Sequence, residues 1–402
     1  MYFFLLLQIL PNIFCQDFPL DVNIENGIAR CTGVDDCLVD CDYGFISNGT
    51  YIMSLESLES TTSVHKAVDL QVSLDAACVF PVGLIIGGYN QDWNHDDVYL
   101  SSTELYSMTG LQDCHYDLPD LPVVRKGMFG GWAGNMATVC GGEDSEAVVH
   151  QDCFTYNFED NVWLYDEVSV RLEVERSYAA AALVDSCLVV SGGLTSEGVT
   201  DSMVGLHGSC LAQYPRLPRP REGHCMVQVG DELVVIGGGP DSYGSTQVLD
   251  LSSGQWREGA PPQKDRALHD CSAVMTEQGE AVLVAGNDFS PMDLAEIYYP
   301  ATDSWQWTPG WMNNERTGAA MTILGGRPTV ISGYGGDYCC KEYYTTAETY
   351  DAQSGHWWLL HARYYMVHSH LSVLSRRYRN LTEGRKGHAV IPLPSDRFPG
   401  CV

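Results

Sequence analysis

An apolar run ending in small residues recurs six times along the chain. The copies are LIIGG at 84–88, ATVCGG at 137–142, LVVSGG at 188–193, LVVIGG at 233–238, AVLVAG at 281–286 and PTVISG at 328–333. Their last glycines stand at 88, 142, 193, 238, 286 and 333, in steps of 54, 51, 45, 48 and 47 residues. A period near fifty, built from short strands, excludes most folds at once. Such a unit cannot bury its apolar faces alone and must stack against its neighbours, as propeller blades do.

Other positions keep the same period. Tyr156 and Trp163 lie seven apart, as do Tyr298 and Trp305, and Tyr350 and Trp357; Leu249 and Trp256 keep the spacing with leucine first. Prolines follow the tryptophan-bearing strand at Pro218, Pro220, Pro261, Pro262 and Pro309. They lack an N–H donor and end a ladder. Each unit therefore parses into four strands. Strand a follows an arginine, strand b ends in the doublet, strand c carries the tyrosine and strand d the tryptophan.

This set of features resembles the kelch repeat family over about residues 78–376. The resemblance implies an all-β, six-bladed kelch β-propeller, here with a small Cys-rich N-terminal segment at 16–77. The third unit lacks the Tyr/Trp pair, and the first has Tyr106 without a matching tryptophan. Blade 1 has no strand a before its strand b, so a C-terminal strand is expected to close the ring. The Arg-led segment 362–374 is the expected closing strand, leaving 377–402 as a tail; GRKGHAVIPLP at 384–394 is its rival.

Charge narrows the partners. The chain has 22 Lys+Arg against 52 Asp+Glu, a formal net charge of −30. No strong basic field exists to release counterions from phosphates, which argues against nucleic acid. Residues 1–15, MYFFLLLQILPNIFC, are uncharged and apolar, too short to span a bilayer and suited to a secretory signal segment. No later apolar run suggests a membrane anchor. Of 15 cysteines, 14 follow Cys15 once that residue is set aside with the signal segment, an even number that suggests disulfides in a secreted protein. Cys140 and Cys153, at the facing ends of strands b and c, are a plausible bridge. Asn48 and Asn380 begin glycosylation sequons.

The sharpest candidate site is the arginine series Arg125, Arg176, Arg221, Arg266, Arg316 and Arg363, which tracks the blades. The kelch resemblance implies a cationic rim around the axis, because arginines at matching positions in intracellular kelch adaptors grip acidic peptides. Guanidinium forks suit carboxylates. The competing role is pairing with the chain's own surplus carboxylates. His224, His269, His368, His370 and His388 near the strand a starts raise a metal alternative resembling galactose oxidase, without an assignable Cys/Tyr pair. Asp92, Asn94 and Asp96 begin like a calcium loop, but Asp97 and Thr103 depart from it, so DWNHDD reads as a solvated b–c loop. Cys339-Cys340 are expected to bond to separate partners.

The chain is thus expected to be a secreted, monomeric propeller without cofactor. It is expected to bind a protein, acidic peptide or glycan through its loop face or axial depression. The alternative is an extracellular metal-dependent oxidase.

Overall fold

A computed structural model describes residues 82–393 except 92–95, 108–117, 134–135, 166–171, 185–186, 207–213, 265–269, 277, 286–291, 325–326, 337–341 and 361–380. Before 82 it describes seven short strands only. The chain divides into two compact units, 1–81 with 402, and 82–401. Every regular element among the described residues is a strand.

In the first unit, Leu20–Ile24, Gly27–Gly33 and Asp36–Cys41 form an antiparallel sheet. Its register sets Cys31 opposite Cys37 and Gly27 opposite Cys41. Ile46–Ser47 pairs with Cys78–Val79, and Ile52–Ser54 with Gln71–Ser73. The residues 1–15 expected as a signal segment, and the sequon residues Asn48 and Asn380, lie outside the described residues.

The second unit contains six larger antiparallel sheets among its described residues. Sheets 2, 4, 5 and 6 have four strands each: Lys126–Ala133 to Val162–Tyr165, Cys225–Val229 to Gln255–Gly259, Asp270–Thr276 to Ser304–Trp307, and Ala320–Leu324 to His356–Leu360. Sheet 3 has three, Ala180–Val184, Cys187–Ser191 and Met203–Leu206. Residues 207–213, which follow its third strand, lie outside the described residues.

Strand b is apolar without alternation because it is covered on both faces. Leu233, Val234, Val235 and Ile236 are all fully buried. One face looks to the preceding sheet and the other to the next. The buried clusters accordingly pair sheets 1 with 2, 2 with 3, 3 with 4, 4 with 5 and 5 with 6. Truncating one such leucine to alanine costs about 2–5 kcal/mol, from lost transfer energy and the cavity left behind.

The seven-residue spacing is a hairpin register. Tyr156 lies directly opposite Trp163, Tyr298 opposite Trp305 and Tyr350 opposite Trp357. Their ring centroids are 5.2, 5.1 and 5.2 Å apart, within range for a favourable aromatic contact. Trp305 also donates its indole N–H to Ala260 O at 2.8 Å, tying sheet 5 to the connection before it.

Sheet 1 corrects the expected closure. Its order is Ala389–Leu393, Val82–Ile86, Thr103–Ser107, with Ala389 opposite Ile86 and Leu393 opposite Val82. The closing strand is thus 389–393, and the repeat unit does not end at 376. Segment 362–374 lies outside the described residues. Sheet 6 in turn packs on sheet 1. Leu324 would touch a Cβ placed on Gly83 at 3.5 Å, and the Tyr106 hydroxyl donates to Leu360 O at 3.4 Å.

Two disulfides join pairs of described cysteines in this unit. Cys140–Cys153 bridges strands b and c of sheet 2 across directly opposed residues, as expected. Cys225–Cys271 joins the first strands of sheets 4 and 5. Cys339 and Cys340 lie outside the described residues.

Candidate functional site

The repeat arginines belong to the wall. Arg125, Arg176, Arg221, Arg316 and Arg385 are 5%, 1%, 0%, 0% and 0% exposed. Each donates an Nη1 hydrogen bond to the carbonyl of the first doublet residue in its own sheet. The acceptors are Gly141 at 3.3 Å, Gly192 at 3.0 Å, Gly237 at 2.7 Å, Ser332 at 2.6 Å and Gly87 at 3.1 Å. The guanidinium then meets a partner from strand c or the residue before it: Asp152 for Arg125, Gln247 for Arg221, Glu348 for Arg316 and Glu104 for Arg385. The chain's own polar groups take up these cations, so Arg125, Arg176, Arg221 and Arg316 do not form the expected cationic rim. Arg385, not Arg363, continues the series; Arg363 and Arg266 lie outside the described residues. Arg176 has no such strand c partner, because Val204 holds the place of Glu348.

The doublets complete this wall. The arginine's backbone carbonyl accepts from the second glycine of the preceding sheet: Gly88 N–H to Arg125 O at 3.0 Å, Gly142 to Arg176 at 2.9 Å, Gly193 to Arg221 at 2.8 Å and Gly333 to Arg385 at 2.8 Å. These second glycines hold φ of +92°, +87°, +101° and +92°. A Cβ on Gly142 would sit 2.9 Å from Lys126 O, so both conformation and space require glycine.

Two residues beyond each arginine, the backbones join in a second series. Gly387 N–H donates to Gly318 O, Gly127 to Gly387, Tyr178 to Gly127 and Gly223 to Tyr178, at 2.8 to 3.2 Å. All five residues have positive φ, including Tyr178 at +52°. A tyrosine held there is a local strain of about 1–3 kcal/mol that the surrounding bonds sustain.

Between these two levels stands the residue directly after each arginine: Lys126, Ser177, Glu222, Thr317 and Lys386. Each lies across from the residue just past its doublet, giving the pairs Lys126–Glu143, Ser177–Leu194, Glu222–Gly239, Thr317–Tyr334 and Lys386–Tyr89. Here the side chains vary while the frame is constant. Lys126, Glu222 and Lys386 remain half-buried, whereas the smaller Ser177 and Thr317 are covered.

They assemble into a mixed aromatic and charged mouth. Lys126 Nζ lies 4.9 Å from the Tyr89 ring centre, 5.1 Å from Tyr99 and 3.2 Å from Glu143 Oε1. Lys386 Nζ lies 4.9 Å from the Tyr89 centre and 5.6 Å from Tyr334. Tyr89 stacks on Tyr99 at 6.2 Å, and Tyr334 packs on Tyr343 at 4.8 Å. Cations over tyrosine faces gain from the ring quadrupole. Burial pulls the Lys126 pKa down, but hydrogen bonds to Tyr99 and Glu143 outweigh it, so the ammonium persists above the usual lysine range. On the other side, burial and the Glu143 charge push Glu222 up. Tyr178, between them, is pushed up by burial and then by Glu143, Tyr89, Tyr99 and Glu222.

The two described histidines of the series are buried in the wall. His224 Nε2 lies 2.7 Å from Ser191 Oγ. His388 is held down to about 3 by burial, with the Arg385 charge adding to it. Among the described residues no three His, Cys, Asp or Glu gather to hold a metal. His269, His368 and His370 lie outside them. Of the DWNHDD loop, the Asp97 carboxylate is 3.9 Å from Lys126 Nζ. No helix among the described residues is long and apolar enough to cross a membrane.

Comparison with known proteins places this geometry. No protein-family model matches the chain. It is 24% identical over 273 residues to acyl-CoA-binding domain-containing protein 4 of Arabidopsis thaliana, covering 60% of this chain and 40% of that one. It is 26% identical over 254 residues to Kelch-like protein 25 of Xenopus tropicalis, covering 59% and 41%. It is 26% identical over 245 residues to N-acetylneuraminate epimerase of Haemophilus influenzae, covering 58% and 59%. The chain thus spans about two to three fifths of the length of these relatives.

Proposed function

From this chain's standing as a kelch-repeat protein, we propose that it is a secreted six-bladed propeller acting as a binding module. Its partner, a protein or a glycan, docks at the mouth formed by Tyr89, Tyr99, Lys126, Tyr178, Tyr334 and Lys386. The six sheets and the bonds from Gly333 to Arg385 and from Gly387 to Gly318 support a closed ring of six. Paired cysteines support an oxidising compartment, with Asn48 and Asn380 as glycosylation sites. We take the module to be a monomer.

One observation carries the reading. Tyrosines and lysines from repeats 1, 2, 3 and 6 converge on a single mouth, each at a position whose backbone neighbours are fixed by the architecture. Variable side chains on a rigid frame are what a binding site needs. The epimerase relative acts, by its name, on a sugar, which favours a saccharide at such a mouth. The oxidase alternative is checked by metal analysis of the purified protein: stoichiometric copper or zinc supports it.

The test of the binding reading compares the full chain with a Tyr89→Ala/Tyr334→Ala variant, both immobilised and exposed to extracellular fluid and to a glycan array. The expected result is a set of ligands held by the unaltered protein and lost by the folded variant. Equal retention by both removes the reading.

A further inference from the structure

Lys386 differs from the other cations near the axis. Lys126 lies 3.2 Å from Glu143, and Arg125, Arg316 and Arg385 each meet a carboxylate of the wall. Arg176 and Arg221 meet none among the described residues, but they are buried against wall carbonyls and Gln247, whereas Lys386 is only half-buried. Lys386 has no carboxylate within 4.0 Å among the described residues, although the chain carries 52 acidic side chains. Its ammonium is instead held between the faces of Tyr89 and Tyr334. Its stem is fixed as well: a Cβ on Gly318 would meet Lys386 Cβ at 2.9 Å. The backbone of Lys386 is bonded both ways to Tyr89, at 3.0 and 2.9 Å. This is a positioned cation with aromatic walls and an open charge.

The neighbours limit what can meet that charge. Glu143, Glu222 and Asp97 flank the mouth against Lys126 and Lys386, so its balance is slightly negative. A peptide with several carboxylates is repelled by them and by the chain's net charge of −30. A basic peptide meets the lysines. A ligand with one carboxylate and many hydroxyls satisfies both halves. The carboxylate meets Lys386, hydroxyls donate to Glu143 and Glu222, and the C–H faces of a sugar ring lie on the tyrosine pairs. We infer that the mouth is a site for a sugar acid bearing a single carboxylate, free or at the end of a glycan, with Lys386 as its anchor. The inference rests on the binding reading above and specifies its ligand.

The experiment titrates the full chain with glucuronate, galacturonate and N-acetylneuraminate, each beside a neutral counterpart (glucose, galactose, N-acetylmannosamine). The same acids are offered as terminal residues of immobilised glycans, which separates a free sugar from a glycan end. At least one acid should bind, with its neutral counterpart about tenfold weaker or worse, the worth of one charge-assisted bond. Lys386→Gln should lose the same factor, Lys386→Arg should retain most of the affinity, and both should unfold with the unaltered protein. Binding of no acid, equal binding of the neutral sugar, or unchanged affinity in Lys386→Gln overturns the inference. If no acid binds but Tyr89→Ala/Tyr334→Ala still abolishes capture of another ligand, the sugar-acid inference fails and the binding reading stands. If that variant changes no capture, the binding reading fails too.

Discussion

Arg385 and Lys386 are adjacent in sequence and opposite in role. Arg385 is fully buried and spends its guanidinium on Gly87 O, Ser102 O and Glu104. Lys386 is half-buried between two tyrosines and meets no carboxylate among the described residues. The same contrast holds at Arg125 and Lys126, whose ammonium also lies over tyrosines, although Glu143 neutralises it. Successive side chains of an extended backbone point to opposite sides, so one step along the chain passes from wall to mouth. The periodic residue is the constant one and belongs to the architecture. The variable residue beside it is where specificity can reside.

The wall should yield the largest effects. Arg316→Met leaves Glu348 in the interior without its cation, both side chains being fully buried. The expected cost is about 3–5 kcal/mol, read as a shift in the denaturant midpoint. The His388 effect is nearly as large at low pH. Its folded pKa, about 3, lies below the ordinary histidine value of 6.5, so its contribution is fully present above pH 6.5 and is lost as pH falls towards 3. That loss reaches at most about 4–5 kcal/mol. Ala179 and Ala319 hold the register of His388 in sheets 3 and 6. His388→Ala should therefore be accommodated, and it should flatten the fall in unfolding free energy between pH 6.5 and 4. An unchanged slope would show that His388 does not titrate on unfolding.

Smaller effects refine the contrast. The Arg176 guanidinium bonds only to Gly192 O among the described residues, and burial holds its pKa below the usual range. Arg176→Met should therefore cost less than Arg316→Met, on the order of 1–2 kcal/mol. Equal losses in denaturant melts would mean that the strand c partner adds nothing. Smaller still, Lys126→Gln should change stability by less than about 1 kcal/mol, since exposed and half-exposed pairs contribute little. A loss as large as that of Arg316→Met would place Lys126 in the wall.

Much of the fold is legible in the sequence because doublets, arginines and Tyr/Trp pairs each report a backbone requirement that recurs. The closing strand is misplaced from sequence because 362–374 and 384–394 both carry an arginine near their start. The residue two places on favours the second: Arg385 is followed there by Gly387, like Gly127, Gly223 and Gly318, all with positive φ, whereas Arg363 is followed by Tyr365; Tyr178, two places after Arg176, shows that the position also admits a tyrosine. The arginines are recognisable as a periodic series, yet the period does not show that Arg125, Arg176, Arg221 and Arg316 are buried, since periodicity reports position and not burial. Their strand c partners at Glu104, Gln247 and Glu348 stand in one register and carry the corrective signal. The mouth escapes sequence reasoning because the residues after the arginines, Lys126, Ser177, Glu222, Thr317 and Lys386, have no common residue type. Only their constant offset from the arginine marks them.

The account turns on two neighbouring residues having separate roles, and the most direct test is the denaturant midpoint of Arg385→Met beside that of Lys386→Gln. Arg385→Met should lose about 3–5 kcal/mol, while Lys386→Gln should stay within about 0.5 kcal/mol of the unaltered protein. Equal losses, or a larger loss at Lys386, would contradict the division between wall and mouth.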